Sequence, residues 1–138
     1  MPSVLRTLRN FYRVGWREYF HQIMTIGDSK SGRFVGMDQF GNRYFENTNA
    51  REEVPGRHRW VDYAQFYADA SQIPPEWHSW LQHIRLAPPT EDAVVKAVTP
   101  PWQKPWHENV SGTRGAYKSY NTVLPKINAW EPKTAPRA

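Results

Sequence analysis

Eight of the twelve prolines lie from Pro88 onward, and that skew constrains the fold more than any other feature. Proline fixes φ and removes a backbone donor, so it ends helices and interrupts sheet ladders. Pro100, Pro101, Pro105 and Pro125 break up the last third, and Gly112 and Gly115 loosen it. Apart from a turn around Ala93–Val98, residues 88–138 are expected to run as a long extended arm. Trp102, Trp106, Tyr117, Tyr120, Ile127 and Trp130 are spaced along it like anchors. Segments without fixed structure are usually poor in aromatics. An arm that orders on a partner is therefore favoured over a disordered tail, with Trp102, Trp106 and Trp130 exposed in the isolated chain.

The folded centre is expected within residues 27–87. Arg33–Asp38 and Asn42–Glu46 have strand composition, and Asp38-Gln39-Phe40-Gly41-Asn42 supplies a turn with Gly41 free to take a positive φ. Arg59–Tyr63 reads as a third strand, because a two-stranded hairpin alone is marginal. Ile73-Pro74-Pro75-Glu76-Trp77-His78-Ser79-Trp80-Leu81 opens a short helix. Proline is tolerated in its first turn, where the N–H is unpaired anyway. Trp77, Trp80, Leu81 and Ile84 fall at i, i+3, i+4 and i+7, a narrow apolar stripe that Pro88-Pro89 closes. A buried Trp removes roughly 150–250 Å² from water, so Trp77 and Trp80 suffice to anchor a small core.

Residues 1–26 are expected to form one amphipathic basic helix over 3–26. Leu5, Leu8, Tyr12, Trp16, Tyr19 and Ile23 share one face, and Arg6, Arg9, Arg13 and Arg17 form a second stripe. Two placements are compatible with this pattern. Either the apolar face packs on a core with arginines in water, or the helix docks in a membrane interface or on an acidic partner. The segment is similar in character to a mitochondrial import signal, being Arg-rich and free of acid until Glu18, but it lacks serine enrichment.

The net charge of +5 is uneven. Residues 1–26 and 88–138 each carry +3, and residues 27–87 carry −1. Basic arms on a near-neutral centre fit docking on acidic surfaces. The chain has no cysteine, which removes disulfides, thiolate catalysis and Cys-bound metals or clusters. No apolar run approaches the ~20 residues of a membrane span. His78 and His83 lie about 140° apart on a helix and lack a partner at metal spacing, and His58 stands between Arg57 and Arg59. Asp38, Glu46, Asp62 and Glu76 form no identifiable catalytic pair. Gly32–Gly36 lacks the strand–loop–helix setting of a phosphate loop. One alternative from another class is a small RNA-binding module, with Arg57, Arg59 and Trp60 beside Phe34 and Tyr44 as a stacking platform.

Three consecutive motifs carry a family resemblance: Val35–Glu46, Gly56–Tyr63, and Ile73–Leu81 with its Pro-Pro-Glu-Trp-His-x-Trp-Leu core. Asn109–Thr113, Tyr117, Tyr120, Thr122, Lys126-Ile127 and Trp130 with Pro132 extend it. The chain resembles the accessory subunit of mitochondrial complex I (NADH:ubiquinone oxidoreductase) known as alpha subcomplex subunit twelve. The likeness covers most of residues 33–138, whereas residues 1–26 match in character alone. It departs at Arg85-Leu86-Ala87, where the family often carries acidic residues.

The resemblance implies a non-catalytic structural subunit without cofactor, metal, flavin or cluster. It implies a peripheral place on the matrix side of the inner membrane, among subunits of the quinone-reducing module and matrix arm. A complex I assembly factor sharing the central motifs is the alternative within the family. The fold expected is α+β: an N-terminal amphipathic helix, a small antiparallel sheet of two or three strands, a short Trp-bearing helix and the arm. The residues expected to dock partners or hold structure are Arg6, Arg9, Arg13, Trp16, Arg57, Arg59, Trp60, Trp77, Trp80, Trp102, Trp106 and Trp130. Phospholipid contact by the N-terminal helix is an open expectation, and no nucleic-acid partner is implied.

Overall fold

A computed structural model describes residues 4–98 and 100–136. Three antiparallel strands form one sheet in the order β1-β2-β3, with β1 at Arg33–Met37, β2 at Arg43–Glu46 and β3 at Arg59–Asp62. Helices α1 (Val4–Val14) and α2 (Trp16–Thr25) precede the sheet, and α3 (Pro75–Leu81) and α4 (Ala93–Ala97) follow it. The α+β architecture is as the sequence predicts. From residue 100 to 136 the described chain forms neither helix nor strand.

The β1–β2 turn closes through Asp38. Its carboxylate accepts from the Phe40 and Asn42 backbone N–H groups and from the Asn42 side chain, at 2.8–3.0 Å. Gly41 takes φ 89°, the left-handed conformation a turn of this kind demands. The same carboxylate accepts from the Tyr44 hydroxyl at 2.9 Å. Burial first, and this neighbouring charge second, push the Tyr44 phenol well above its ordinary pKa, so it stays a donor.

One face of the sheet carries the core. Tyr44, Ile73, Trp77 and Trp80 are buried together, with Val35, Val61, Tyr63 and Leu81 packed around them. The Tyr44 ring stacks on Trp77 at 4.0 Å between centroids, and Trp80 meets both rings edge-on. Strand alternation sends Phe45 and Trp60 to the other face, where their rings stack at 5.8 Å. The register of β1 against β2 slips between Phe34 and Gly36, so Val35 is the extra residue of a bulge. A Cβ at Gly36 would lie 2.7 Å from the Trp77 ring. Only glycine lets the core tryptophan come this close to β1.

Two helices differ from the sequence expectation. The helix expected over 3–26 is broken at Gly15, which adopts φ 90° and separates α1 from α2. A residue without Cβ permits that turn inside an otherwise helical pattern. The apolar stripe of α3 also stops at Leu81, short of Ile84. The chain leaves the helix at Gln82, and His83 takes φ 60°, so Ile84 is turned outward and exposed.

Candidate functional site

The N-terminal helices lie on the acidic rim of the central unit through their polar faces. Asn10 and Gln22 are the buried residues of α1 and α2. Asn10 donates to the Ser29 carbonyl at 2.7 Å, and Gln22 accepts from the Lys30 backbone N–H at 2.8 Å. Arg6 is paired with Asp28 and reaches Glu53 at 3.4 Å. Arg13 meets Glu52 at 2.8 Å, with Arg9 at 3.8 Å from the same carboxylate. The Glu52 carboxyl is held below its ordinary range, first by the Asn47 side chain and then by Arg13. On α2, His21 lies 2.9 Å from Asp62, which is also paired with Arg43, and Glu18 reaches Arg43 at 3.5 Å.

This arrangement overturns the expectation of an apolar face on the core with arginines in water. Arg6 and Arg13 turn toward the central unit, while Leu5, Leu8, Tyr12, Trp16 and Phe20 are exposed. The helices do not run free of residues 27–87. Sequence periodicity reports that a helix has two faces but not which face the neighbour prefers. The signal that identifies it is the Glu52-Glu53 pair with Asp28, acids near enough in the fold to claim the arginines.

The expected tryptophans divide sharply. Trp60, Trp77 and Trp80 are buried, and Trp80 is 1% exposed. Trp102 and Trp130 stand 80% and 84% exposed, whereas Trp106 is only 36% exposed. Trp106 borders two clefts, one with Met37, Asp38 and Trp77 and another with Phe40, Gln65 and Gln72. Next to it, Gln72 donates to Glu108 at 3.2 Å, and the Asn109 N–H donates to the Ser71 hydroxyl at 3.2 Å. The arm therefore touches the central unit around residues 103–109. Trp106 is corrected from a free anchor to a partly docked one.

Arg59 and Trp60 also change meaning. The Arg59 guanidinium binds Glu46 at 3.0 Å and donates to the carbonyls of Trp80, Arg85 and Leu86 at 2.6–3.2 Å. It lies 4.6 Å from the Trp80 ring centre, where a cation is attracted to the ring face. Arg59 is thus an internal clamp joining β2, β3, α3 and the segment after it. Arg57 stays exposed, and its carbonyl accepts from Lys30. With Tyr44 and Trp60 buried and Arg59 engaged inside, the stacking platform considered for RNA is not on the surface. Arg85, in the segment that departs from the family pattern, forms a two-point pair with Asp92 at 2.6 and 2.7 Å. That pair holds the Asp92 carboxyl down to about 2, and Asp92 caps α4 by accepting from Val94.

His58 and His83 stack face to face at 4.4 Å. The buried Nε2 of His83 finds no hydrogen-bond partner among the described residues. Burial first, then His58 and Arg59, push the His83 pKa below its ordinary 6.5. The folded state therefore binds fewer protons than the unfolded chain just below that value, and stability falls as pH drops through it. Well above pH 6.5, where the imidazole is neutral in both states, this residue contributes no slope. Thermal unfolding followed from pH 7.5 to 5.5 is expected to show a decline that His83→Asn reduces, since Asn tolerates a positive φ and does not titrate. Among the described residues, no three His, Asp or Glu side chains gather in a way that could hold a metal ion. No helix there is long and apolar enough to cross a membrane.

The site is thus a set of exposed apolar and aromatic surfaces on a small tryptophan core. Residues 32–132 match the family described as NADH ubiquinone oxidoreductase subunit NDUFA12. The chain belongs to this family. It is 43% identical to the Yarrowia lipolytica NADH dehydrogenase [ubiquinone] 1 alpha subcomplex subunit N7BM, over 99% of this chain and 98% of that protein. It is 35% identical to the Bos taurus NADH dehydrogenase [ubiquinone] 1 alpha subcomplex subunit 12, over 88% of this chain and 86% of that one. Similarity to the Homo sapiens NADH dehydrogenase [ubiquinone] 1 alpha subcomplex assembly factor 2 is lower, 29% identity over 64% of this chain and 51% of that protein. The family match takes in both the sheet with its Trp helix and nearly all of the arm.

Proposed function

We propose that this chain is a non-catalytic accessory subunit of mitochondrial complex I. It stabilises the matrix arm near the junction with the membrane arm during electron transfer from NADH to ubiquinone. Its neighbours are subunits of the quinone-reducing module, and it sits peripherally on the matrix side of the inner membrane. The observation that carries this reading is the family match from residue 32 to residue 132, which spans the folded centre and the exposed arm alike. In support, the arm offers Trp102, Tyr117, Tyr120, Ile127 and Trp130 to solvent, side chains of the kind that dominate protein interfaces. The three domains, 1–26, 27–87 and 88–138, follow the same logic: the described helices of the first dock by charge, the second holds the core, and the described arm of the third reaches outward beyond residue 109.

A native gel of mitochondrial membranes stained for NADH dehydrogenase activity tests the proposal. A tagged copy is expected to run with the full-size active band. Running only with smaller intermediates would favour the assembly-factor alternative, and running with neither would overturn the complex I assignment.

A further inference from the structure

Helices α1 and α2 are amphipathic in the reverse of the usual sense, with the polar side facing the protein and the apolar side facing out. At about 100° per residue, Leu5, Leu8 and Tyr12 lie about 140–160° round α1 from the buried Asn10. Phe20 and Met24 lie about 160° round α2 from the buried Gln22, and Trp16 about 120°. All six are exposed, Tyr12 to 84%. The break at Gly15 does not divide this surface. Tyr12, Phe11, Tyr19 and Phe20 form a chain of edge-to-face ring contacts at 5.1–5.8 Å that runs from one helix to the next. The result is one apolar surface over two helices, whereas scattered exposed residues would need no explanation.

Charge indicates what covers it. Arg17 is exposed beside the apolar surface, and Arg9, 3.8 Å from Glu52 on its inner side, is still largely exposed at its edge. Glu18, the one acid of residues 4–25, is turned to Arg43. The outward side of both helices therefore bears arginine, tryptophan, tyrosine and aliphatic groups with no carboxylate pointing out. That composition suits the headgroup layer of an anionic bilayer, where aromatic rings sit at the polar boundary and arginines meet lipid phosphates.

We propose that the outer face of α1 and α2 lies in the surface of an anionic lipid bilayer, inserting Leu8, Tyr12, Trp16 and Phe20, while their inner face holds the central unit by Arg6, Asn10, Arg13 and Gln22. The inference rests on the accessory-subunit reading only for the nearness of a membrane. Vesicle flotation of the purified full chain needs no complex, so its failure is separable from failure of the gel experiment.

The probes are vesicles of phosphatidylcholine alone and of phosphatidylcholine with about one-third phosphatidylglycerol, whose negative surface attracts basic segments. The chain is expected to float with the mixed vesicles and far less with the neutral ones. Leu8→Glu with Tyr12→Glu, both at exposed positions, is expected to reduce binding about tenfold or more, with the near-ultraviolet circular dichroism of the tryptophan core unchanged. Arg9→Gln with Arg17→Gln is expected to abolish the preference for anionic vesicles. No flotation with either vesicle would overturn the inference, as would flotation that the Leu8 and Tyr12 changes leave intact. Loss of the chain from complex I in that variant, without any vesicle binding, would also overturn it and assign the face to an apolar partner protein.

Discussion

Trp80→Ala is expected to leave too little stability for the central unit to persist. Trp80 is 1% exposed and meets Tyr44 and Trp77 edge-on. Truncating a buried tryptophan costs about 3–5 kcal/mol through lost burial and the cavity left behind, against about 5–15 kcal/mol for an entire domain. A sheet of three strands with four or five residues each belongs at the low end of that range. The loss also reaches beyond the ring. Arg59 lies over Trp80 and donates to its carbonyl, so the clamp to Arg85 and Leu86 loses the surface it rests on. Chemical denaturation of the purified variant, with protein abundance in cells as a second readout, checks this. Trp102→Ala is the control, since Trp102 is 80% exposed and its truncation should leave the midpoint near the parent value. Equal midpoints for Trp80→Ala and the parent chain would show that the core lies elsewhere.

The parts of the fold that are legible in the sequence are those fixed by local chemistry. Gly41 marks the turn because few residues accept φ 89°. Pro74 and Pro75 mark the start of α3 because the first helical turn needs no N–H there. The pair Trp77 and Trp80 shares a face by spacing alone. What stayed hidden depends on contacts between distant residues. Gly15 breaks the N-terminal helix at a position where periodicity continues without a gap. Arg6 and Arg13 face inward because Asp28, Glu52 and Glu53 are brought beside them by the fold. Arg59 has the look of a surface cation in the sequence, yet it is consumed by three carbonyls from residues 80–86. Trp106 resembles Trp102 and Trp130 in its setting, and only the neighbouring bonds of Glu108 and Asn109 to Gln72 and Ser71 set it apart.

Those bonds decide where the arm should be cut. Removing residues 110–138 is expected to leave a folded central unit that is retained by complex I far less well than the full chain. The deleted part carries Tyr117, Tyr120, Ile127 and Trp130, all exposed, and it has no backbone helix or strand among its described residues. Its side chains are too far apart along the chain to shelter one another, so each needs a groove on a partner. Interface residues of this type cost about 2 kcal/mol or more each when they are hot spots. Losing two such residues would lower affinity by about a thousandfold. A cut at residue 100 would instead also strip Trp106, Glu108 and Asn109 from the central unit and mix loss of fold with loss of docking. The measurement is the fraction of the truncated chain that stays with the NADH dehydrogenase band after a wash at physiological salt. Circular dichroism of the purified truncation shows whether the tryptophan core survives. A folded truncation retained as well as the full chain would mean that the arm contributes no binding energy, and that docking belongs to residues 4–109 alone.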